Sequence, residues 1–401
     1  MTEDERLCVI SADAHVSPPT EQFRPYCPAR HLDAFDEQLH AVQALRAGDG
    51  SNFANSTAKS LGVGGLHPSV VAAAARAGRI AGQADHDARV KDMDADGVAA
   101  DVIFHGGQNG EIIPFITDSF MQTVDRTTPE MEAVGCRIYN RWLADFVSAS
   151  PERHAGLCAV PMSDIGAAVE EVRWAHANGL RGVNFPAPKR ERPDYWDPVY
   201  EPFFAVCAEL RMPLTTHFGG GDRWRYTDGV LAVAFNKLEG GLVSRRGIWQ
   251  LMFAGVFHRH PDLKLVVTEG YSIWVPELLR DLDWAYTDRA NPGIRERTGR
   301  MPSEQWLDHC FVGSSFMSHD EARQYPERGA RNIMWGSDYP HLEGTHPYTQ
   351  AALRQTFAGI DPAATRDMVG RTAARVYGFD LDVLRPIADR IGPCAADLTR
   401  P

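Results

Sequence analysis

The sequence predicts one (β/α)8 barrel, and three observations predict it. Eight short apolar runs rich in β-forming residues alternate with longer helix-like stretches along 401 residues. The runs are apolar throughout instead of alternating, the pattern of parallel strands covered on both faces. Most of them end in a histidine, an acid or a small polar residue, and the chemistry of such barrels gathers at the C-terminal ends of the strands. The competing architecture is a doubly wound open sheet, but eight consecutive strand–helix units favour closure. A hydrophobic share of 44% supplies core enough for a single barrel domain over residues 1–401.

The runs come in order. LCVISA (7–12) leads into Asp13 and His15, and DVIFH (101–105) ends in His105. AGLCAVP (155–161) and GLRGVNFP (179–186) follow, the latter carrying Asn184. PLTTHF (213–218) carries His217, and LKLVVTE (263–269) ends in Glu269. CFVGSS (310–315) ends in Ser314 and Ser315, and NIMWGSD (332–338) ends in Asp338, with His341 three residues on. Between them, Ile138, Trp142 and Phe146 form one helical stripe, as do Ile165, Val169 and Val172, which Asn178-Gly179 can terminate. Pro276 is tolerable only near a helix start. Two segments exceed ordinary βα loops: 35–84, read as an insertion or lid, and 219–242, read as a loop over the barrel mouth. Each is a substrate wall or a plain surface loop. Residues 380–401 read as a C-terminal tail.

Composition excludes several classes. A net charge of −12 argues against a nucleic-acid partner, which needs a basic face. No run approaches the roughly 20 apolar residues that span a bilayer, so no membrane partner is expected. The start, MTEDERL, lacks the basic-then-apolar order of a secretion signal, and seven dispersed cysteines without CxxC spacing suit reduced thiols. A cytoplasmic location is the expectation.

The candidate site is the set of strand ends. A lone histidine there is more often structural than a ligand, and a lone aspartate more often a cap or turn. Jointly, however, Asp13, His15, His105, His217, Glu269, Asp338 and His341 place four imidazoles and three carboxylates around one axis, an arrangement that calls for an organising cation. Asp13 and His15, one residue apart on extended backbone, point the same way and can share an ion. Glu269 is a ligand or a hydrogen-bond partner of His217 or His105. Glu111 is a ligand or a loop acid, and Gln108 and Asn109 position a substrate or turn the loop.

The segments ISADAHVSPP, PLTTHFGG, HPDLKLVVTEGYSIWVPELLRDLDWAY, NIMWGSDYPH and RTAARVYGFDL, in this order, resemble the amidohydrolase-2 family. That branch includes aminocarboxymuconate semialdehyde and γ-resorcylate decarboxylases. The resemblance runs from about residue 9 to 381 and implies a metal at the barrel mouth. Its His-x-His pair, its histidine after strand 5 and its aspartate after strand 8 map onto His15, His217 and Asp338; Asp13 replaces the first histidine, and Glu269 stands where many members carry another.

Carboxylates in place of imidazoles suit iron or manganese, and seven candidate ligands exceed what one ion needs. The mixture is similar to the type III nonheme diiron hydroxylases of platensimycin and platencin biosynthesis. That resemblance implies two Fe ions, O2, an external electron donor and hydroxylation of a large apolar substrate such as a diterpenoid coenzyme A thioester, with Asp338, His217 and His341 catalytic. Trp224, Tyr226, Leu231 and Phe235 would wall the substrate or simply pack the loop. Arg223, Arg225, Arg245 and Arg246 would meet coenzyme A phosphates or face solvent. The alternative is one Zn or Mn in a hydrolase or nonoxidative decarboxylase of a small carboxylic acid, with Asp338 as ligand and base and His217 or His341 moving a proton. A barrel keeping its metal for stability alone is a third reading. A homodimer is an open expectation.

Overall fold

The computed structural model describes residues 5–46, 79–106, 111–116, 127–219, 229–325 and 330–400, with residues 72, 76 and 221. Eight strands form one parallel sheet in chain order. They are β1 (Ile10–Val16), β2 (Ala100–His105), β3 (His154–Ala159), β4 (Gly182–Asn184), β5 (Leu214–His217), β6 (Leu265–Thr268), β7 (Cys310–Ser314) and β8 (Ile333–Trp335). Helices alternate with them, as the (β/α)8 expectation requires. Pro276 sits in the first turn of the helix Val275–Thr287, where its missing N–H costs nothing.

Strand parity divides the core. Ile103, Cys158, Val183, Leu214, Leu265, Val267 and Val312 pack outward against Ile138, Trp142, Leu143 and Val172 of the surrounding helices. Ile10, Ala12, Ala100, Val102, Phe104, Ala155, Leu157, Val266 and Met334 face inward and meet Ala373, Ala374 and Tyr377 of the helix Thr372–Tyr377. That C-terminal helix plugs the barrel, and Tyr377 Oη reaches Thr215 Oγ1 at 3.2 Å.

β1 breaks the alternation. Ser11 pairs with Asp101 but Ala14 pairs with Ile103, so β1 carries one residue more than β2 between these rungs. Both Ala12 and Asp13 therefore oppose the inward Val102, and the parity of everything beyond flips. His15, paired with Phe104, consequently faces the barrel axis together with Asp13. The run read as 7–12 thus continues through both residues as far as Val16.

β8 closes on β1 through a short seam. Asp338 N donates to Asp13 O at 3.0 Å and His15 N donates to Tyr339 O at 2.6 Å. Ser11 Oγ and Ser337 Oγ add a 2.9 Å bond across it.

Of the 219–242 segment read as a loop, residues 229–242 belong to the helix Gly229–Phe253. Leu231, Phe235, Leu238 and Leu242 recur at four- and three-residue steps, which is helical spacing, and all four are exposed. Arg223, Trp224, Arg225 and Tyr226 lie outside the described residues, as do Gln108, Asn109 and residues 47–71 of the 35–84 segment. The tail holds the helices Leu381–Ile391 and Ala395–Thr399. It returns to the chain start, where Leu7 N donates to Pro393 O at 2.9 Å. No helix among the described residues is long and apolar enough to cross a membrane.

Candidate metal centre

Two overlapping groups of side chains share His15 at the C-terminal mouth of the barrel: Asp13, His15 and His217, and His15, Asp338 and His341. His15 Nε2 lies 3.4 Å from Asp13 Oδ1, 3.3 Å from Asp338 Oδ1 and 3.3 Å from His217 Nε2. His217 Nε2 lies 3.7 Å from Asp13 Oδ1. Asp13, His15 and Asp338 are buried. Each is inward by parity: β1 delivers the first two through its bulge, and Asp338 follows the inward Met334 by an even step.

The hydrogen bonds around these rings fix which nitrogen carries the proton. His217 Nδ1–H donates to Phe218 O at 2.9 Å, and His15 Nδ1–H donates to His105 O at 3.4 Å. Both Nε2 lone pairs then face each other and two carboxylates. Asp13 Oδ1 and Asp338 Oδ2 are buried and receive no hydrogen bond. Acceptors facing acceptors in a buried space require a cation. Donors sharing one ion at about 2.1 Å stand roughly 3.0–3.4 Å apart in octahedral or tetrahedral geometry, close to the separations here. These residues fit one divalent ion.

Electrostatics agree with that demand. Burial opposes charge on His15 and His217. The carboxylates Asp13 and Asp338 around His15, and Glu269 and Asp13 around His217, outweigh it and raise both imidazoles to about 9. Burial would raise Asp13 and Asp338, yet the neighbouring imidazoles hold both carboxyls below their ordinary range. The pocket seeks positive charge, whether protons or a metal ion.

The other predicted residues stand around this group in different roles. Glu269 Oε2 lies 3.1 Å from His217 Nδ1, on the ring edge opposite the four-donor cluster. Burial first, then the charges of Asp338 and Asp13, raise its carboxyl to about 7. Glu269 and Asp338 both sit at positive φ, 54° and 55°. In Glu269 this left-handed turn matters most: parity would send the side chain outward after the inward Thr268, and the turn re-aims it at the mouth. His341 stacks on His15 with ring centroids 4.0 Å apart and brings Nδ1 to 2.8 Å from Asp338 Oδ1. Glu269, Asp338, His341 and Glu343 form a neighbouring acidic group.

His105 is a correction. It pairs with the outward Val16, so its ring leaves the barrel interior and packs on Tyr139, centroids 5.4 Å apart. It contributes its carbonyl to His15 instead of its imidazole to an ion. Glu111 accepts from Thr20 N and Oγ1 and braces the chain after β1.

Sequence reasoning missed three supports. Ser315 Oγ donates to Asp13 Oδ2 and turns Oδ1 toward the imidazoles. Gly336 leaves room for Asp13, since a Cβ there would come within 2.8 Å of the Asp13 Cβ. Glu321 is buried and accepts from Ser272, Ser314 and Ser318, tying together the chain after β6 and β7. The serine end of run seven, Ser314-Ser315, was the only signal.

Residues 118–379 match the amidohydrolase family model. The chain belongs to the amidohydrolase family. This amidohydrolase is similar to the gamma-resorcylate decarboxylase of Rhodococcus jostii (strain RHA1), with 25% identity over 278 residues that cover 61% of this chain and 75% of that protein. Its fold is similar to the crystal structure of 5-carboxyvanillate decarboxylase from Sphingomonas paucimobilis, with a TM-score of 0.60 and 21% identity over 93% of this chain and 100% of that one. It is also similar to a dihydroxybenzoic acid decarboxylase from Polaromonas sp. JS666, solved with bound manganese and the inhibitor 2-nitroresorcinol. That match has a TM-score of 0.61 and 16% identity over 93% and 97% of the two chains.

These relatives overturn the expectation of an O2-dependent diiron hydroxylase. They are named as decarboxylases, and the Polaromonas structure holds manganese. Of the seven candidate ligands, Asp13, His15 and His217 lie close enough together to share an ion, and His15, Asp338 and His341 form an adjoining group.

Proposed function

We propose that this amidohydrolase is a nonoxidative decarboxylase of a small carboxylic acid, dependent on one divalent cation, with manganese the ion of choice. The single observation that carries the reading is the grouping of Asp13 Oδ1, His15 Nε2 and His217 Nε2, with Asp338 Oδ1 against His15, beside the partly buried carboxyl of Glu269. A cation held there would supply Lewis-acid binding of the substrate carboxylate and stabilise the negative charge that develops as it leaves.

The reaction breaks the bond between that carbon and the carboxylate, releases CO2, leaves the electron pair on carbon and needs one proton there. Glu269 supplies it. Its raised affinity for a proton keeps the carboxyl available near neutrality, and its contact with His217 Nδ1 sets its direction. Asp13, His15, His217 and Asp338 would hold the ion, and His341 fixes the planes of His15 and Asp338 by stacking and contact. Phe104, 4.8 Å from the His217 ring, gives the site floor an apolar face suited to an aromatic acid.

The test is Mn2+-loaded protein incubated in D2O with 2,6-dihydroxybenzoate and 5-carboxyvanillate. The expected result is metal-dependent CO2 release with one solvent deuterium on the vacated carbon. Hydrolysis of amide or ester substrates without CO2 release from any carboxylic acid overturns the reading.

A further inference from the structure

The seam where β8 meets β1 carries two of the four ligand-bearing segments, and its hydrogen-bonding does not close by itself. In a parallel ladder, a residue that donates its N–H to one position of the neighbour accepts at its C=O from the position two residues later. His15 N donates to Tyr339 O, so His15 O is due a bond from His341 N. That N–H is spent locally, on Asp338 O at 2.8 Å, because the chain turns away after Asp338. The intervening residue, Pro340, has no N–H to offer. A buried ligand-bearing strand would therefore end in an unsatisfied carbonyl.

Arg89 fills that place from outside the sheet. It lies on the helix His86–Asp96, is fully buried, and donates Nη1 to His15 O at 2.7 Å and to Gly82 O at 3.3 Å. Nε donates to Asp101 Oδ2 at 2.8 Å, and Nη2 lies 2.6 Å from the same carboxylate. The guanidinium also sits 5.0 Å from the ring centroid of Tyr339, the residue after Asp338. The far end of that ring is tied down too, with Tyr339 Oη donating to Asp92 Oδ2 at 2.7 Å on the same helix. One planar fork thus touches β2 through Asp101, β1 through His15 and the chain beyond β8 through Tyr339.

We propose that Arg89 is a positioning residue for the metal centre, setting the spacing of His15 and Asp338 by completing the seam between their strands. Its effect runs through the backbone of His15 and the ring of Tyr339, and it touches neither ion nor substrate. Lysine cannot replace it, because a single ammonium does not span Asp101 and His15 O together. The proposal rests on the four-residue metal centre but not on decarboxylation, and it is read from metal binding alone.

The experiment measures Mn2+ affinity by titration, and the electron paramagnetic resonance spectrum of bound Mn2+, in the parent and in Arg89→Lys. Val172→Ala, a buried substitution on the helix Ile165–Ala177, controls for general loss of stability. Arg89→Lys is expected to weaken Mn2+ binding by about 10- to 100-fold and broaden the spectrum, while Val172→Ala lowers the Tm without either change. Unchanged Mn2+ affinity and spectrum in Arg89→Lys overturn the proposal. Hydrogen exchange of the unmodified protein decides the case even where that variant does not fold. Coupling is reciprocal, so stripping Mn2+ must speed exchange in the helix His86–Asp96 along with the seam, and leave the helix Ile165–Ala177 unaffected. Unchanged exchange in His86–Asp96 overturns the proposal equally.

Discussion

His15 Nε2 and His217 Nε2 face each other across 3.3 Å, and each ring spends its Nδ1–H on a backbone carbonyl. Two imidazole lone pairs and two carboxylates then share one small buried space. Such a site is stable only when positive charge enters it, so metal binding and folding stability are linked. At Mn2+ a hundredfold above its dissociation constant the gain is about 2.7 kcal/mol. Adding Mn2+ to chelator-treated protein is expected to raise the Tm by several degrees, and His217→Ala is expected to abolish that rise while the far-UV circular dichroism stays intact. A Tm indifferent to Mn2+ in the parent protein would count against the site.

Glu269 separates proton delivery from metal binding, because it lies beyond His217 and not among the four converging donors. Glu269→Gln keeps the shape and removes the acid. The expected outcome is a Mn2+ content equal to that of the parent, with kcat lower by about 10²- to 10⁴-fold. Metal analysis and steady-state turnover on the same preparation check it. A variant that loses its Mn2+ as well would make Glu269 a ligand.

Much of this was legible in the sequence, and the reason lies in strand parity. The apolar runs were long enough to show eight parallel strands, and Asp13, His15, His217 and Asp338 could be picked out because strand ends are where barrels keep their chemistry. What the sequence hid was direction. Nothing in DVIFH says that His105 points outward; that follows from its pairing with Val16 across a bulge in the neighbouring strand. The left-handed turn that re-aims Glu269 is equally silent, since glutamate has no preference for it. Counting seven ligands without directions led toward two irons. In the second half of 219–242 the helical spacing of Leu231, Phe235, Leu238 and Leu242 is masked by helix-disfavouring glycines before and within it, and packing overrides that propensity.

Gly336 makes the seam a target for a minimal substitution. A methyl group there would lie 2.8 Å from Asp13 Cβ and 3.2 Å from Ser315 Oγ, with both neighbours buried. Something must shift, and overpacking of this kind costs about 1–3 kcal/mol. Gly336→Ala is expected to lower the Tm and to weaken Mn2+ binding more than the lost stability accounts for, because the displaced Asp13 is one of the proposed ligands. Titration with Mn2+ beside thermal unfolding of the chelator-treated protein separates the two effects.

Asp101 predicts how the fold fails in acid. Burial disfavours its charge, but Arg89 at 2.6 Å and His154 at 2.7 Å outweigh that and hold its carboxyl down at about 2. An unfolded aspartate titrates near 3.9. The folded form binds its proton less readily, so the stabilisation is fully present above pH ~4 and is lost as the pH falls toward about 2, amounting to about 2 kcal/mol. His154 adds to the same trend, because burial, aided by the charges of Arg89 and His86, lowers its pKa despite Asp101. Its contribution is complete above pH ~6.5, where the unfolded imidazole is neutral, and it declines below that value. Urea unfolding of chelator-treated protein across pH 2.5–7 should therefore show stability falling below about 4, whereas between about 7 and 4.5 the raised carboxyl of Glu269 gains stability as it takes up a proton and opposes the His154 trend. Asp101→Asn leaves the Arg89 charge buried without its partner, so it should cost about 3 kcal/mol at pH 7, with the gap to the parent narrowing below pH ~4. A gap that stays constant down to pH 2.5 would mean that the Asp101 carboxylate is not what Arg89 and His154 stabilise.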